Sequence, residues 1–234
     1  MPLLQVDLDL ADRLPGATVG AAAPFVLVRT RWLEPGAWSP DIPPTNERGT
    51  HLGYLVLNGF ITRQLSVLQR PATELLGRGD LLLPWEPDRT EPFRSGSRWD
   101  VLEPARVAML DRRFTALLAR WPEITVALTG RAVSRSRALA LTLAITQVVG
   151  VELRLLAILW HIAERWGEHE DAGVVLPVHL THTLLASLIS ARRPTVTRAL
   201  SALTDEGRLS RRGDGVLVLH GAPPATFAPG GRAR

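Results

Sequence analysis

The chain has 234 residues, enough for two modest domains that each bury a core of their own. Hydrophobic residues make up 46% and charged ones 21%, the balance of a soluble globular protein, and the lack of any cysteine excludes disulfides, thiolate nucleophiles, cysteine-ligated zinc and iron–sulfur clusters. The formal net charge is only +4, but all 27 basic residues are arginines, so every cation is a planar fork suited to phosphate and guanine edges, and where they lie matters more than their sum.

In chain order, "MPLLQVDLDLADRLPG" puts acids early and has no basic stretch before an apolar core, so it does not read as a signal peptide. From about residue 24 to 110, short apolar runs are punctuated by Gly and Pro: "FVLVRTRWL", "HLGYLVLNGFITRQLSVL", "ATELLGRGDLLLPW" and "RVAML". They predict the strands and turns of a β-sandwich or barrel. "EPGAWSPDIPPTNERG", between the first two runs, is too rich in proline to be anything but loop. In "DRRFTALLARWPEI", Phe114, Leu117, Leu118 and Trp121 recur at helical spacing behind Asp111, which is placed to cap the helix, and Pro122 breaks or restarts it.

Residues 122–149 then predict one long helix, about 27 residues or roughly 40 Å at 1.5 Å per residue. Its apolar stripe is Ile124, Leu128, Ala132, Leu139, Leu143 and Thr146, with Arg135 also set in it. A helix so long with so narrow a stripe is expected to lie against a copy of itself. The longest apolar run, "ALALTLAITQVVGVELRLLAILWHI", has Glu152 and Arg154 in its middle and Gly150 as an interruption, so it predicts two soluble helices meeting at a joint rather than a membrane span. The second of these helices, "VELRLLAILWHIAERWG", is ended by Gly167 in the left-handed capping role. "EHEDAG" reads as a charged loop and "VVLPVHL" as a short strand. Residues 181–189 and about 193–205 predict two helices, and "GRLSRRGDGVLVLHG" a hairpin turning through Asp214–Gly215 with type I′ chemistry. The tail "APPATFAPGGRAR" has the composition of a disordered segment.

The C-terminal third is therefore a winged helix-turn-helix. Thr181 caps the first helix, whose Leu184, Leu185 and Leu188 face the core; "SARR" makes the corner, with Ser190 where such turns often carry Gly. Pro194 falls in the first turn of the second helix, where backbone N–H groups have no intrahelical partner. It also biases Arg193 away from α geometry and so marks the helix start. Arg192 and Arg193 then stand at the tip that a helix-turn-helix points into the major groove, with Thr195, Thr197 and Arg198 on the outer side and Val196, Leu200 and Leu203 behind. Between Thr181 and Gly215 there are six arginines (192, 193, 198, 208, 211, 212) against Asp205, Glu206 and Asp214. Cations at a helix N-terminus oppose the macrodipole, a cost that a purely structural site tends to avoid.

These residues carry a resemblance. "THTLLASLISARRPTVTRALSALTDEGRLSRRGDGVLVLHG" resembles the C-terminal domain of the cyclic-AMP receptor/fumarate–nitrate regulator (Crp/Fnr) family of bacterial transcription factors, whose pattern of Thr, turn and Arg-x-Thr-Val-x-Arg-x-Leu it matches. The long helix with a joint at Gly150 is similar to the family's dimerisation helix and hinge, and the β-rich half, with turn glycines Gly36, Gly59 and Gly79, to its β-roll sensor. The resemblance implies an α+β fold. Residues 1–120 would form a cupin-like, cyclic-nucleotide-binding-domain-like β-roll, 121–149 the dimerisation helix, 150–221 the winged helix-turn-helix and 222–234 a disordered tail. It implies a cytoplasmic homodimer that binds double-stranded DNA at a near-palindromic operator and meets RNA polymerase, without enzymatic activity and without a membrane. Arg193 and Arg198 would read base edges, Thr195 and His182 would touch phosphate, and Arg211 or Arg212 of the wing could do the same. The family's usual Glu between Arg and Thr is replaced by Pro194, which has no side-chain acceptor, so recognition of cytosine N4 from that position is lost.

Cyclic-nucleotide binding in the family uses a Gly-Glu-Leu cassette followed by Arg-Ser/Thr. The matching stretch here is "GDLLLPWEPDRTEPFRSGS", where Arg94–Ser95 could be a remnant effector-binding pair but no carboxylate fills the Glu slot. The hydroxyl pair that touches adenine falls near Leu139–Ala140, both apolar. Cyclic AMP is therefore not expected, no other cofactor is implied, and any effector is of another kind. His51 is the only histidine before His161, which leaves no metal cluster of the sort a cupin enzyme needs. Trp85 and Trp99 read as core or rim. Two rival readings remain: a cupin-type metal enzyme with a helical appendage, and a module whose winged domain binds a partner protein.

Overall fold

The computed structural model describes residues 1–41, 50–67, 70–84 and 96–224. The chain divides into two compact units, residues 1–139 and 140–234. Among the described residues no helix is long and apolar enough to cross a membrane.

The first unit opens with three short helices, α1 (Leu3–Val6), α2 (Leu8–Ala11) and α3 (Gly16–Ala22), in the stretch for which no element was predicted. Asp7 caps α2 by accepting the Leu10 N–H at 3.1 Å. Eight strands follow: β1 (Arg29–Leu33), β2 (Gly36–Trp38), β3 (Gly53–Asn58), β4 (Ile61–Val67), β5 (Arg70–Leu76), β6 (Leu81–Leu82), β7 (Gly96–Val101) and β8 (Ala105–Leu110). They form two antiparallel four-stranded sheets, ordered β1-β8-β3-β6 and β2-β7-β4-β5. The strand "GYLVLN" is apolar and buried from Tyr54 to Leu57 because both of its faces are covered there. Tyr54 and Val56 point into the sandwich with Ile61, Trp99 and Val107, while Leu55 and Leu57 join the helices Leu3, Leu10 and Phe114 come from. The expected turn glycines Gly36, Gly59 and Gly79 all have positive φ. At Gly59 a side chain is excluded for a second reason, since a Cβ there would overlap the Ala105 backbone.

Helix α4 (Arg112–Leu118) is capped as expected: the Asp111 carboxylate accepts the N–H groups of Arg113 and Phe114 and pairs with Arg29 at 2.7 Å. Partial burial pushes the Asp111 carboxyl up, but the Phe114 N–H and the Arg29 guanidinium together hold it below its ordinary value. Helix α5 (Pro122–Thr146) restarts at Pro122 and stops short of the predicted residue 149. The stripe assigned to self-association is partly spent within the chain: Ile124 and Leu128 are buried in the core beneath the sheet, whereas Leu139 and Leu143 are exposed. Arg131 pairs with Asp7 at 2.7 Å in the interior, and Arg135 chelates Glu74 through two bonds of 2.8 and 2.9 Å and donates to the Leu81 carbonyl. The arginine that interrupts the apolar stripe is thus a bond to the sheet.

The second unit holds α6 (Val151–Trp166), β9 (Glu168–Glu170), β10 (Gly173–Val175), α7 (His182–Leu188), α8 (Arg193–Asp205), β11 (Leu209–Arg211) and β12 (Leu217–Leu219). Gly150 precedes α6 with φ 93°, a left-handed joint that suits glycine. Gly167 ends α6, but not by the left-handed route expected of it. Its φ is −64°, and glycine is needed because a Cβ would meet the Ala163 carbonyl and the Val174 side chain. "EHEDAG" is not a plain loop: its first three residues are an edge strand paired with β10, whose charged side chains keep the edge from pairing further. The wing sheet is therefore four-stranded, in the order β11-β12-β10-β9. Its turn also differs from expectation. Gly215 N–H bonds to the Arg212 carbonyl, and of Gly213, Asp214 and Gly215 only the last has positive φ. This is a three-residue loop with a glycine bulge rather than a two-residue type I′ turn.

Candidate nucleic-acid interface

Helix α7 begins at Thr181, whose hydroxyl accepts the Leu184 N–H at 3.1 Å, and buries Leu185, Ala186 and Leu188; Leu184 is only half-buried. The corner runs through Ser190, whose φ of 52° is the left-handed value that explains why glycine is common there. Arg154 of α6 ties this corner down by donating to the Ile189 carbonyl at 3.1 Å. No sequence signal marked that contact.

Helix α8 starts one residue earlier than the proline rule predicts. Arg192 is the extended cap (φ −89°, ψ 140°), Arg193 is the first helical residue and Pro194 the second. The bias against α geometry before proline is outweighed by the first turn closing on the Arg192 carbonyl, which accepts from Thr195 and Val196. Pro194 still sits where its missing N–H costs nothing. Val196, Ala199, Leu200 and Leu203 are buried, so α8 is fixed by its inner face. On the outer face Arg192, Arg193, Thr197 and Arg198 are exposed and Thr195 is half-buried.

The wing separates its two arginines. Arg212 is bound to Asp214 at 2.7 Å and Glu170 at 3.0 Å. These bonds hold the guanidinium above its ordinary value, and the Arg212 bond is the main cause of the lowered Asp214 carboxyl. Arg211 instead donates to the Gly215 carbonyl at 2.6 Å and carries no carboxylate partner among the described residues. Of the expected wing contacts, Arg211 keeps its charge for a ligand, whereas that of Arg212 is spent on the wing itself.

His179, Thr181, His182, Arg193 and Arg211 together line a cleft of about 500 Å³ between the start of α7, the start of α8 and the wing. Among the described residues no carboxylate lines it. Its chemistry is that of an anion site: two guanidiniums, two imidazoles and the hydroxyls of Thr181 and Thr183. His179 was not foreseen, because a lone histidine before a helix gives no pattern to read.

Residues 153–221 match the Crp-like helix-turn-helix domain family. That stretch is a Crp-like helix-turn-helix domain. Solved structures are similar to the chain at the level of the fold. The cyclic nucleotide-binding domain containing protein from Listeria monocytogenes is similar with a TM-score of 0.65 at 14% identity, covering 93% of this chain and 97% of that one. A CooA mutant from Carboxydothermus hydrogenoformans has a TM-score of 0.59 at 19% identity, over 82% and 83%. FixK2 from Bradyrhizobium japonicum has a TM-score of 0.59 at 15% identity, over 83% and 93%. No curated protein sequence matches the chain. The expected effector pair, Arg94–Ser95, lies outside the described residues, as does Trp85; Trp99 is buried in the sandwich and Leu139–Ala140 are exposed. His51 is half-buried beside the Thr50 hydroxyl, and no metal-holding group of side chains occurs among the described residues.

Proposed function

We propose that this chain is a Crp/Fnr-type transcription regulator that acts in the cytoplasm as a homodimer, placing two copies of α8 in successive major grooves of a near-palindromic operator, about 34 Å apart. The observation that carries the reading is the tip of α8. Arg192, Arg193 and Arg198 are exposed on one face, and no hydrogen bond or ion pair of their side chains occurs within the described chain. Arg192 and Arg193, at the helix start, are poorly placed for stability, and with Arg198 one turn further on they are well placed for DNA. Arg193 and Arg198 read base edges; Thr195, Thr181 and Arg211 serve the phosphates, and Arg192 sits at the groove edge. Pro194 leaves no acceptor for cytosine, so the preferred site differs from that of relatives carrying Glu.

A free face on α5 supports the dimer. Val126 (71% exposed), Val133 (63%), Ala140 and Ala144 follow heptad spacing on the side opposite Ile124 and Leu128, and Gly130 on the same seam permits close approach. Regulation would proceed through contact with RNA polymerase and through an effector that is not cyclic AMP, or through none.

The test is Arg198→Ala, measured by fluorescence anisotropy on a site selected from a random pool and on random duplex. Loss of a bidentate base contact is expected to cost about 1–3 kcal/mol on the selected site and much less on random DNA. Equal losses on both would remove Arg198 from base reading.

A further inference from the structure

We propose that His182 is a proton-gated contact to a DNA backbone phosphate, so that affinity for DNA rises as the pH falls. The inference rests on the DNA-binding reading above and adds to it a regulatory property of this particular cleft.

The geometry assigns the imidazole's tautomer. The Thr197 hydroxyl lies 3.1 Å from the Arg193 carbonyl, which can only accept, so the single hydroxyl proton is given there. With that proton so placed, the 2.9 Å bond between Thr197 Oγ1 and His182 Nδ1 runs the other way, and we assign Nδ1–H as its donor to the hydroxyl oxygen. A neutral His182 accordingly carries its proton on Nδ1 and a lone pair on Nε2. A lone pair facing a phosphate oxygen repels it. Only when Nε2 also takes up a proton does the ring become a donor and a cation.

The surroundings decide what couples to that proton. Arg193 of α8 and Arg211 of the wing share the cleft with His182 and oppose a third charge. Asp205 of α8 lies in the adjoining cleft, which His182, Thr197, Ser210 and Arg211 also line, and favours it. His179, ahead of α7, donates Nε2–H to the Asp214 carbonyl at 2.9 Å, so that nitrogen is used in holding the wing turn. Asp214 and Glu170 are engaged by Arg212. His220 is bonded to the Ala172 carbonyl and the Ser210 hydroxyl. A phosphate entering the cleft adds an attraction that the free protein lacks, so binding DNA draws a proton onto His182. By linkage, lowering the pH strengthens binding.

The experiment measures binding of the full chain to a fluorescent duplex at constant ionic strength between pH 5.5 and 8.5. The wild-type association constant is expected to fall with rising pH, by up to about tenfold per pH unit for each engaged subunit in the steepest part. His182→Gln, which cannot titrate, is expected to flatten the profile with unchanged thermal melting. Thr197→Val frees Nδ1 and lets a neutral ring donate from Nε2, so binding persists with a shallower slope. The same slope in wild type and His182→Gln overturns this proposal while leaving DNA binding intact. Failure to bind any duplex at any pH in dilute salt overturns the DNA reading beneath it.

Discussion

Single residues in this chain are informative where local chemistry leaves few options. Thr181 and Asp111 precede helices with free N–H groups, and both cap as their side chains dictate. Ser190 is different, because here the backbone wants one residue and the chain supplies another. At φ 52° its Cβ crowds the carbonyl that follows, a penalty of roughly 1–2 kcal/mol that glycine escapes. Ser190→Gly is therefore expected to raise stability by about 1 kcal/mol, the gain being reduced by glycine's larger entropy in the unfolded chain; urea unfolding measures it. A loss instead would mean that the Ser190 hydroxyl contributes more than its backbone costs. Arg212 shows the limit of reading residue by residue. In sequence it equals Arg211, and only the fold of the wing brings Glu170, 42 positions away, to neutralise one and not the other.

At the level of elements, periodicity located the helices better than it assigned their faces. Helix α5 has apolar residues on nearly every side, so the stripe through Ile124 and Leu128 looks as much like a partner-facing seam as the one through Val126 and Val133. The structure separates them, since the first is buried under the sheet and the second is not. Short elements were hidden for another reason: α1 and α2 have four residues each and β9 has three, and such pieces are held by tertiary partners rather than by a repeating pattern. The seam gives a direct test. A carboxylate at the centre of a close helix pair is desolvated against its own copy, so Val133→Glu is expected to shift the protein from dimer to monomer in sedimentation at micromolar concentration. Leu143→Glu, off the seam, is expected to do so less. Val133→Glu remaining fully dimeric would place the subunit contact elsewhere.

For the whole molecule, the chain divides into two compact units, each with buried residues of its own. The helix-turn-helix was legible because its logic is compressed into about forty consecutive residues, cap, corner, proline and turn in order. The first unit's deciding contacts join positions far apart. Across the inner face of one sheet, Trp38, Trp99, Arg63 and Glu74 are successive cross-strand neighbours, and Arg135 closes the row from α5. Arg63 lies over the Trp99 ring and bonds Glu74 at 2.8 Å. Burial pulls the Arg63 guanidinium down and Arg135 adds to this, while Glu74 works against both. Two cations thus share one carboxylate, Glu74, whose side chain is largely buried. Removing the shared partner is far worse than losing one surface bridge, because both guanidiniums lose the carboxylate that offsets their desolvation. Glu74→Ala is expected to destabilise the first unit by about 3–5 kcal/mol. Hydrogen exchange followed by mass spectrometry should find faster exchange in peptides spanning residues 53–110, with those spanning 151–219 unchanged, because the bonds from Glu74 to Arg63 and Arg135 lie within the first unit. Equal loss of protection in both regions would show that the two cores unfold as one.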